Sequence, residues 1–212
     1  MGTTCCATQI LRGGKSLDEL ETDVRKAMAA DLLPTPPGYT QRTLYLLAAP
    51  QSPWATLWED AEHAQAPWLH NLRPAVRAIA SMTARTALAV EVVDSDFCVC
   101  LLCSPDGAED LLIRGLAEEF DCAPDAGGGN LALWQSLLGL SNEDCAKLKR
   151  IFEEDCGGDE DCLFDMAEVL GIHFAQLLPY PEAGFPPEFE VRILRFGQGG
   201  GRKALRFPGG GA

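Results

Sequence analysis

The stretch from Ala87 to Gly115 constrains the fold more than any other part of the chain. Leu88, Val90 and Val92 alternate with Ala89, Glu91 and Val93, which is the two-residue period of a strand. Asp94-Ser95-Asp96 supplies a polar turn, and Phe97 to Cys103 is continuously apolar, as in a strand covered on both faces. Ser104-Pro105-Asp106-Gly107 is a second turn before Leu111 to Ile113. Strands joined by turns this short pair antiparallel, so the sequence predicts a three-stranded meander.

The rest of the chain supplies elements to cover that sheet. Ser16-Leu17-Asp18-Glu19 has capping-box spacing, and Leu17, Leu20, Val24 and Met28 follow at helical spacing, predicting a helix over 17–30. Residues 42–49 and Trp54 to Trp58 read as a strand pair, with both tryptophans on one side. Trp68 to Arg85 places Leu69, Leu72, Val76, Ile79 and Thr83 on one helical face, and Pro74 predicts an irregular first turn. After Gly127-Gly128-Gly129 come helical stretches at Leu131–Leu138, Ser141–Phe152 and Asp159–Leu170, the last stopping at Gly171. Phe189 to Phe196 reads as a final strand. The fold class is α+β: an antiparallel β-meander packed with helices and a C-terminal helical segment. The expected division is 1–41, an N-terminal arm with one amphipathic helix and a Pro-rich linker; 42–196, the α+β domain; and 197–212, a Gly-rich basic tail. Residues 1–15, small and polar before Gly13-Gly14, read as loose.

A chain of 212 residues, 47% hydrophobic, buries roughly two-thirds of its unfolded surface without staples. No apolar run approaches the ~20 residues of a membrane helix, so no membrane partner is expected. The N-terminus has no basic stretch leading into an apolar core, so the cytoplasm is the expected compartment. There the nine cysteines read as free thiols. On a strand, Cys98 and Cys100 point to one face and Cys103 to the other, so they do not converge on one metal ion, and no metal site is expected. Cys145, Cys156 and Cys162 flank a glycine turn and are the better redox candidates, although they lack Cys-x-x-Cys spacing.

Charge narrows the partners. Seventeen bases against 31 acids give a net charge of -14, which argues against nucleic acid. Residues 141–168 hold ten acids and three bases, half of that net charge. Within them, Glu153-Glu154-Asp155 and Asp159-Glu160-Asp161 fail as an EF-hand, because the sixth and twelfth places counted from Asp155 are Glu160 and Met166. From Val191 onward the chain has five bases and no acid, a stretch that either folds back onto the acidic helices or stays solvated. His63, His70 and His173 have no metal-pair spacing. Nucleotide, dinucleotide and Gly-x-Ser-x-Gly motifs are absent, so no cofactor is expected and no catalytic residue is assigned. Gly2 followed by Cys6 does not meet the myristoylation pattern.

The run Ala87-Leu88-Ala89-Val90-Glu91-Val92-Val93-Asp94-Ser95-Asp96, entering an apolar strand and a Pro-Asp-Gly turn, resembles a family of uncharacterised bacterial proteins. Trp54 to Asp60 and the stretch ending Leu170-Gly171-Ile172 are similar too. The resemblance implies an α+β architecture and brings no activity with it.

Two functional expectations follow. The first is a non-catalytic binding or regulatory protein whose acidic helical face, Glu153, Glu154, Asp155 and Asp161, meets a basic protein surface. The second is an enzyme or divalent-metal site at Asp94 and Asp96, where paired carboxylates on a strand turn can divide acid and base roles or hold an ion.

Overall fold

A computed structural model describes residues 5–30, 32–33, 41–59, 68–93, 97–115, 129–153, 159–177 and 184–197. Among them, seven strands form one antiparallel sheet: β1 (Cys5–Leu11), β2 (Gln41–Ala48), β3 (Trp54–Glu59), β4 (Ala87–Val93), β5 (Phe97–Cys103), β6 (Glu109–Gly115) and β7 (Glu190–Gly197). Their order across the sheet is β6-β5-β4-β1-β3-β2-β7. The helices are α1 (Leu17–Ala29), α2 (Trp68–Thr83), α3 (Leu131–Leu138), α4 (Asn142–Glu153) and α5 (Asp159–Leu170), followed by a 3-10 turn at Phe174–Gln176. The fold is α+β, and β4, β5 and β6 form the meander that the sequence predicts.

The first six elements run β-α-β-β-α-β with sheet order β4-β1-β3-β2, a split β-α-β arrangement. This corrects the reading of residues 1–15 as a loose arm, because Cys5–Leu11 form a central strand. Ala7 lies opposite Trp58 on one side and Val90 on the other. Backbone pairing along both edges, and burial of Ala7 and Ile10, outweigh a polar local composition. α1 and β1 therefore share the sheet and core of the residues that follow, with no structural division at residue 41.

Helices cover both faces of the sheet. On one face, Leu17, Leu20 and Val24 of α1 and Val76, Ile79 and Ala80 of α2 pack on Ile10, Leu46, Ala55, Ala89 and Leu101. On the other, Trp134, Leu148, Ile151, Leu163 and Met166 of α3, α4 and α5 pack on Trp54, Leu88, Val90, Cys100 and Leu102. α2 runs through Pro74 rather than restarting there. Ser16 and Glu19 cap α1 reciprocally, and Ser141 and Asp144 do the same ahead of α4. α3 ends at Gly139 and α5 at Gly171, with φ of 68° and 66°, left-handed conformations that favour glycine. α2 ends instead on Ala84, at φ 52°.

Candidate functional site

Asp94, Asp96, Glu154 and Asp155 lie outside the described residues. Glu153, the last residue of α4, is exposed and reaches Lys149 Nζ at 3.6 Å, while Asp161 falls in the first turn of α5. These two sit on either side of the connection between two helices that pack together. Arg114 on β6 holds that end to the sheet: its Nη1 donates to the Ile151 carbonyl at 2.8 Å in the last turn of α4, where a cation suits the helix dipole, and it also contacts Cys162 Sγ.

The two helices carry their charge differently. On α4, Glu143 pairs with Lys147 at 3.3 Å, and the Ser141 hydroxyl and amide bonded to Asp144 hold that carboxyl below its usual range. On α5, positions 161, 164, 165 and 168 follow helical spacing. Phe164 there is 55% exposed, and the exposed carboxylates of Asp165 and Glu168 have no ion-pair partner among the described residues. The Phe164 ring lies 5.4 Å from that of Phe174. The outer side of α5 is thus an aromatic ring set among unpaired acids.

The three strand cysteines lie on the faces that alternation predicts. Cys98 and Cys100 belong to the core under α3, α4 and α5, and Cys103 to the core under α1 and α2. Cys98, Cys103 and Cys145 are free thiols. Burial, with Glu109 adding to it, pushes the Cys103 thiol up to about 12. No cluster of three His, Cys, Asp or Glu side chains suited to a metal ion occurs among the described residues.

Two buried polar features were not singled out in the sequence. The first joins β1, β3 and the 3-10 turn. Thr56 Oγ1 donates to Gln9 Oε1 at 2.7 Å, and Gln176 Nε2 donates to Thr56 Oγ1 at 3.1 Å and to the Trp54 carbonyl at 3.2 Å. Gln9 Nε2 donates to the Gln176 carbonyl at 3.3 Å, and Trp54 Nε1 to the Leu170 carbonyl at 2.8 Å. Gln9, Thr56 and Gln176 are all fully buried, and Gln176 Oε1 alone of their side-chain atoms lacks a partner.

The second is Glu91, on the α1/α2 face of β4 between Ala89 and Val93. It is 2% exposed, its Oε2 accepts no hydrogen bond from the described residues, and burial pushes its carboxyl from 4.5 to about 7. A half-protonated buried acid near neutral pH suits proton transfer, yet it is also what burial alone produces. In an alternating strand it reads as a solvent-facing residue. The available signal was its company, since Ala87, Ala89 and Val93 share its parity and none of them is polar.

No family model, curated protein or solved structure matches this chain. The architecture stands on the chain's own residues, and a fold alone does not specify a function. No described helix is long and apolar enough to cross a membrane.

Proposed function

We propose that this is a non-catalytic binding or regulatory protein of the cytoplasm whose acidic α4–α5 surface engages a protein with a basic surface rather than a nucleic acid. The observation that carries the reading is the outer side of α5, where Asp165 and Glu168 have no ion-pair partner among the described residues and lie beside an exposed phenylalanine. Exposed acids speed encounter with a basic surface, and an aromatic ring beside them adds apolar contact once the two meet. Glu153 ends α4 and Asp161 falls in the first turn of α5, and Glu154 and Asp155 follow Glu153 in the sequence, so the reading assigns all four to the same acidic surface. The test is capture from native lysate by the immobilised protein. A partner recovered at low salt, lost at high salt and lost when Glu153, Glu154 and Asp155 are reversed to lysine supports the reading. Recovery indifferent to both changes, or no recovery, refutes it.

A second reading, an enzyme or divalent-metal site near Asp94 and Asp96, is favoured by Glu91, whose Oε2 has no hydrogen-bond partner among the described residues and which lies three residues before Asp94 in the sequence. A divalent ion held there would raise the melting temperature of the native protein, and D94N/D96N would abolish the rise. A melting temperature indifferent to magnesium, manganese, calcium and zinc in the native protein refutes the metal version of this reading.

A further inference from the structure

Two arginines at one end of the sheet face each other with no acid between them. The β1–β4 register sets Ile10 opposite Ala87, and the Leu11 amide donates to the Thr86 carbonyl at 2.9 Å, so one step further on Arg12 stands opposite Arg85. Both side chains reach the turn that joins β1 to α1. Arg12 Nε donates to the Lys15 carbonyl at 3.2 Å, and Arg85 packs on Gly13 so closely that a Cβ there would lie 2.7 Å from Arg85 Nη1. We propose that Arg12 and Arg85 bind a phosphate group, free or carried on a small molecule, at the Gly13-Gly14 turn.

Like charges directly across a ladder repel. In a chain of 31 acids and 17 bases a facing carboxylate would be the ordinary remedy, yet neither arginine has an ion-pair partner among the described residues. The acids on the neighbouring part of α1 are engaged elsewhere: Asp23 pairs with Lys15 at 2.7 Å and Lys26 at 3.3 Å, and Glu19 accepts from the amide and hydroxyl of Ser16. Two arginines standing in water need no partner. Arg85 is not in that situation, because its Nε is shut off from solvent and donates to nothing among the described residues. The carboxyl end of α2 favours a cation, but Lys15 Nζ already fills that place by donating to the Thr83 carbonyl. The amino end of α1 is satisfied by its own capping box and takes no part.

The donors select the ligand. Two guanidinium forks carry two positive charges and offer planar pairs of N–H groups that match the oxygens of a phosphate. A phosphate dianion offsets both charges, whereas one carboxylate leaves a charge over. The amides of Gly13 and Gly14 make no hydrogen bond among the described residues and are further donors at the same turn. Both glycines are exposed, so a ligand enters from solvent without any rearrangement of the sheet. Arg12 and Arg85 have the strand parity of Ile10 and Ala87, on the α1/α2 face, which sets this site apart from the acidic surface of α4 and α5.

The test is isothermal titration of the full chain with inorganic phosphate at constant ionic strength and slightly alkaline pH, where phosphate is a dianion. The expected result is one phosphate per chain with a Kd of about 1 mM or tighter. R12Q and R85Q should each weaken binding about tenfold, the loss of one charge-assisted pair, with circular dichroism unchanged. K147Q/K149Q removes two bases from α4 and should bind as the native protein does, which separates a built site from general attraction to bases. If R85Q fails to fold, R12Q alone decides. Glycerol 3-phosphate in a parallel titration distinguishes the sources: tighter binding than inorganic phosphate identifies an esterified group, equal or weaker binding identifies the free ion, and either supports the site. No saturable binding up to about 10 mM, binding unchanged in R12Q, or acetate binding as tightly as phosphate overturns the proposal. None of these outcomes bears on whether a protein binds α5, so the two readings fail separately.

Discussion

The two helical layers of this molecule treat polar groups in opposite ways. On the α1/α2 side these surface charges, most of them part-buried, are paired: Lys15 with Asp23 at 2.7 Å, Arg25 with Glu21 at 2.8 Å, Arg192 with Asp18 at 3.0 Å, and Arg77 with Glu109 at 2.6 Å. Under that layer, however, lies Glu91 with an unpartnered oxygen. On the α3/α4/α5 side, the polar side chains of Gln9, Thr56 and Gln176 bond one another under the helices, while Asp165 and Glu168 on the outside have no ion-pair partner among the described residues. The first layer has ion-paired surface charges over a buried carboxylate with an unbonded oxygen. The second has an interior in which only Gln176 Oε1 of the three polar side chains goes unbonded, beneath surface acids that are available to something else.

The largest effect that sharpens this contrast comes from Glu91. Its folded pKa is raised above the unfolded value, so between pH 4.5 and about 7 the folded state holds a proton that the unfolded state has released. Stability from this group is fully present below pH 4.5 and is lost as pH rises through 7; the difference corresponds to about 3 kcal/mol. Glu91→Gln should match the native protein near pH 4.5 and exceed it by roughly that amount at pH 8, or about 6–12 °C in melting temperature. Equal pH dependence in the two proteins, followed by thermal unfolding, would place the charge in water and erase the contrast.

The next effect tests the opposite layer. Thr56→Val keeps the side-chain shape but removes the hydroxyl that donates to Gln9 and accepts from Gln176, so about 1–3 kcal/mol should be lost in urea unfolding. A neutral result would mean that the buried network contributes nothing beyond its shape.

Surface changes rank below both. Arg77→Ala should cost about 0.5 kcal/mol, diminishing with salt, because Arg77 is half exposed. D165K/E168K should stay within about 0.5 kcal/mol of the native protein, since no bond is broken. A larger loss in D165K/E168K than in Arg77→Ala would reverse the comparison. Smallest of the helix-end effects, Ala84→Gly should stabilise by about 0.5 kcal/mol, because Ala84 adopts at the end of α2 the left-handed backbone that Gly139 and Gly171 adopt on the other layer.

Legibility in the sequence followed the range of the interactions. The meander, the helices and the final strand were readable because alternation, caps and turn residues are local signals. β1 was not, because a strand such as Cys5–Leu11 is specified by the two neighbours it pairs with, at least 43 and 77 residues away, and not by its own composition. Gln9 and Gln176 are 167 residues apart and meet only in the fold. Glu91 was hidden for the complementary reason: alternation identified its strand, but which face of that strand is covered depends on α2. The acidic surface was legible as a charge count. The sequence did not distinguish the acids that are paired on α4 from those left unpaired on α5, since that depends on where each neighbouring lysine or arginine points.

The most direct test sets the two layers against each other in one capture experiment. The immobilised native protein, D165K/E168K on α5 and D18K/E21K on α1 are exposed to the same native lysate at low salt, with folding of each confirmed by circular dichroism. The account predicts that the native protein and the α1 variant recover the same partner and that the α5 variant loses it. Loss in the α1 variant with retention in the α5 variant, or retention in both, would contradict the claim that the outer side of α5 is the binding surface.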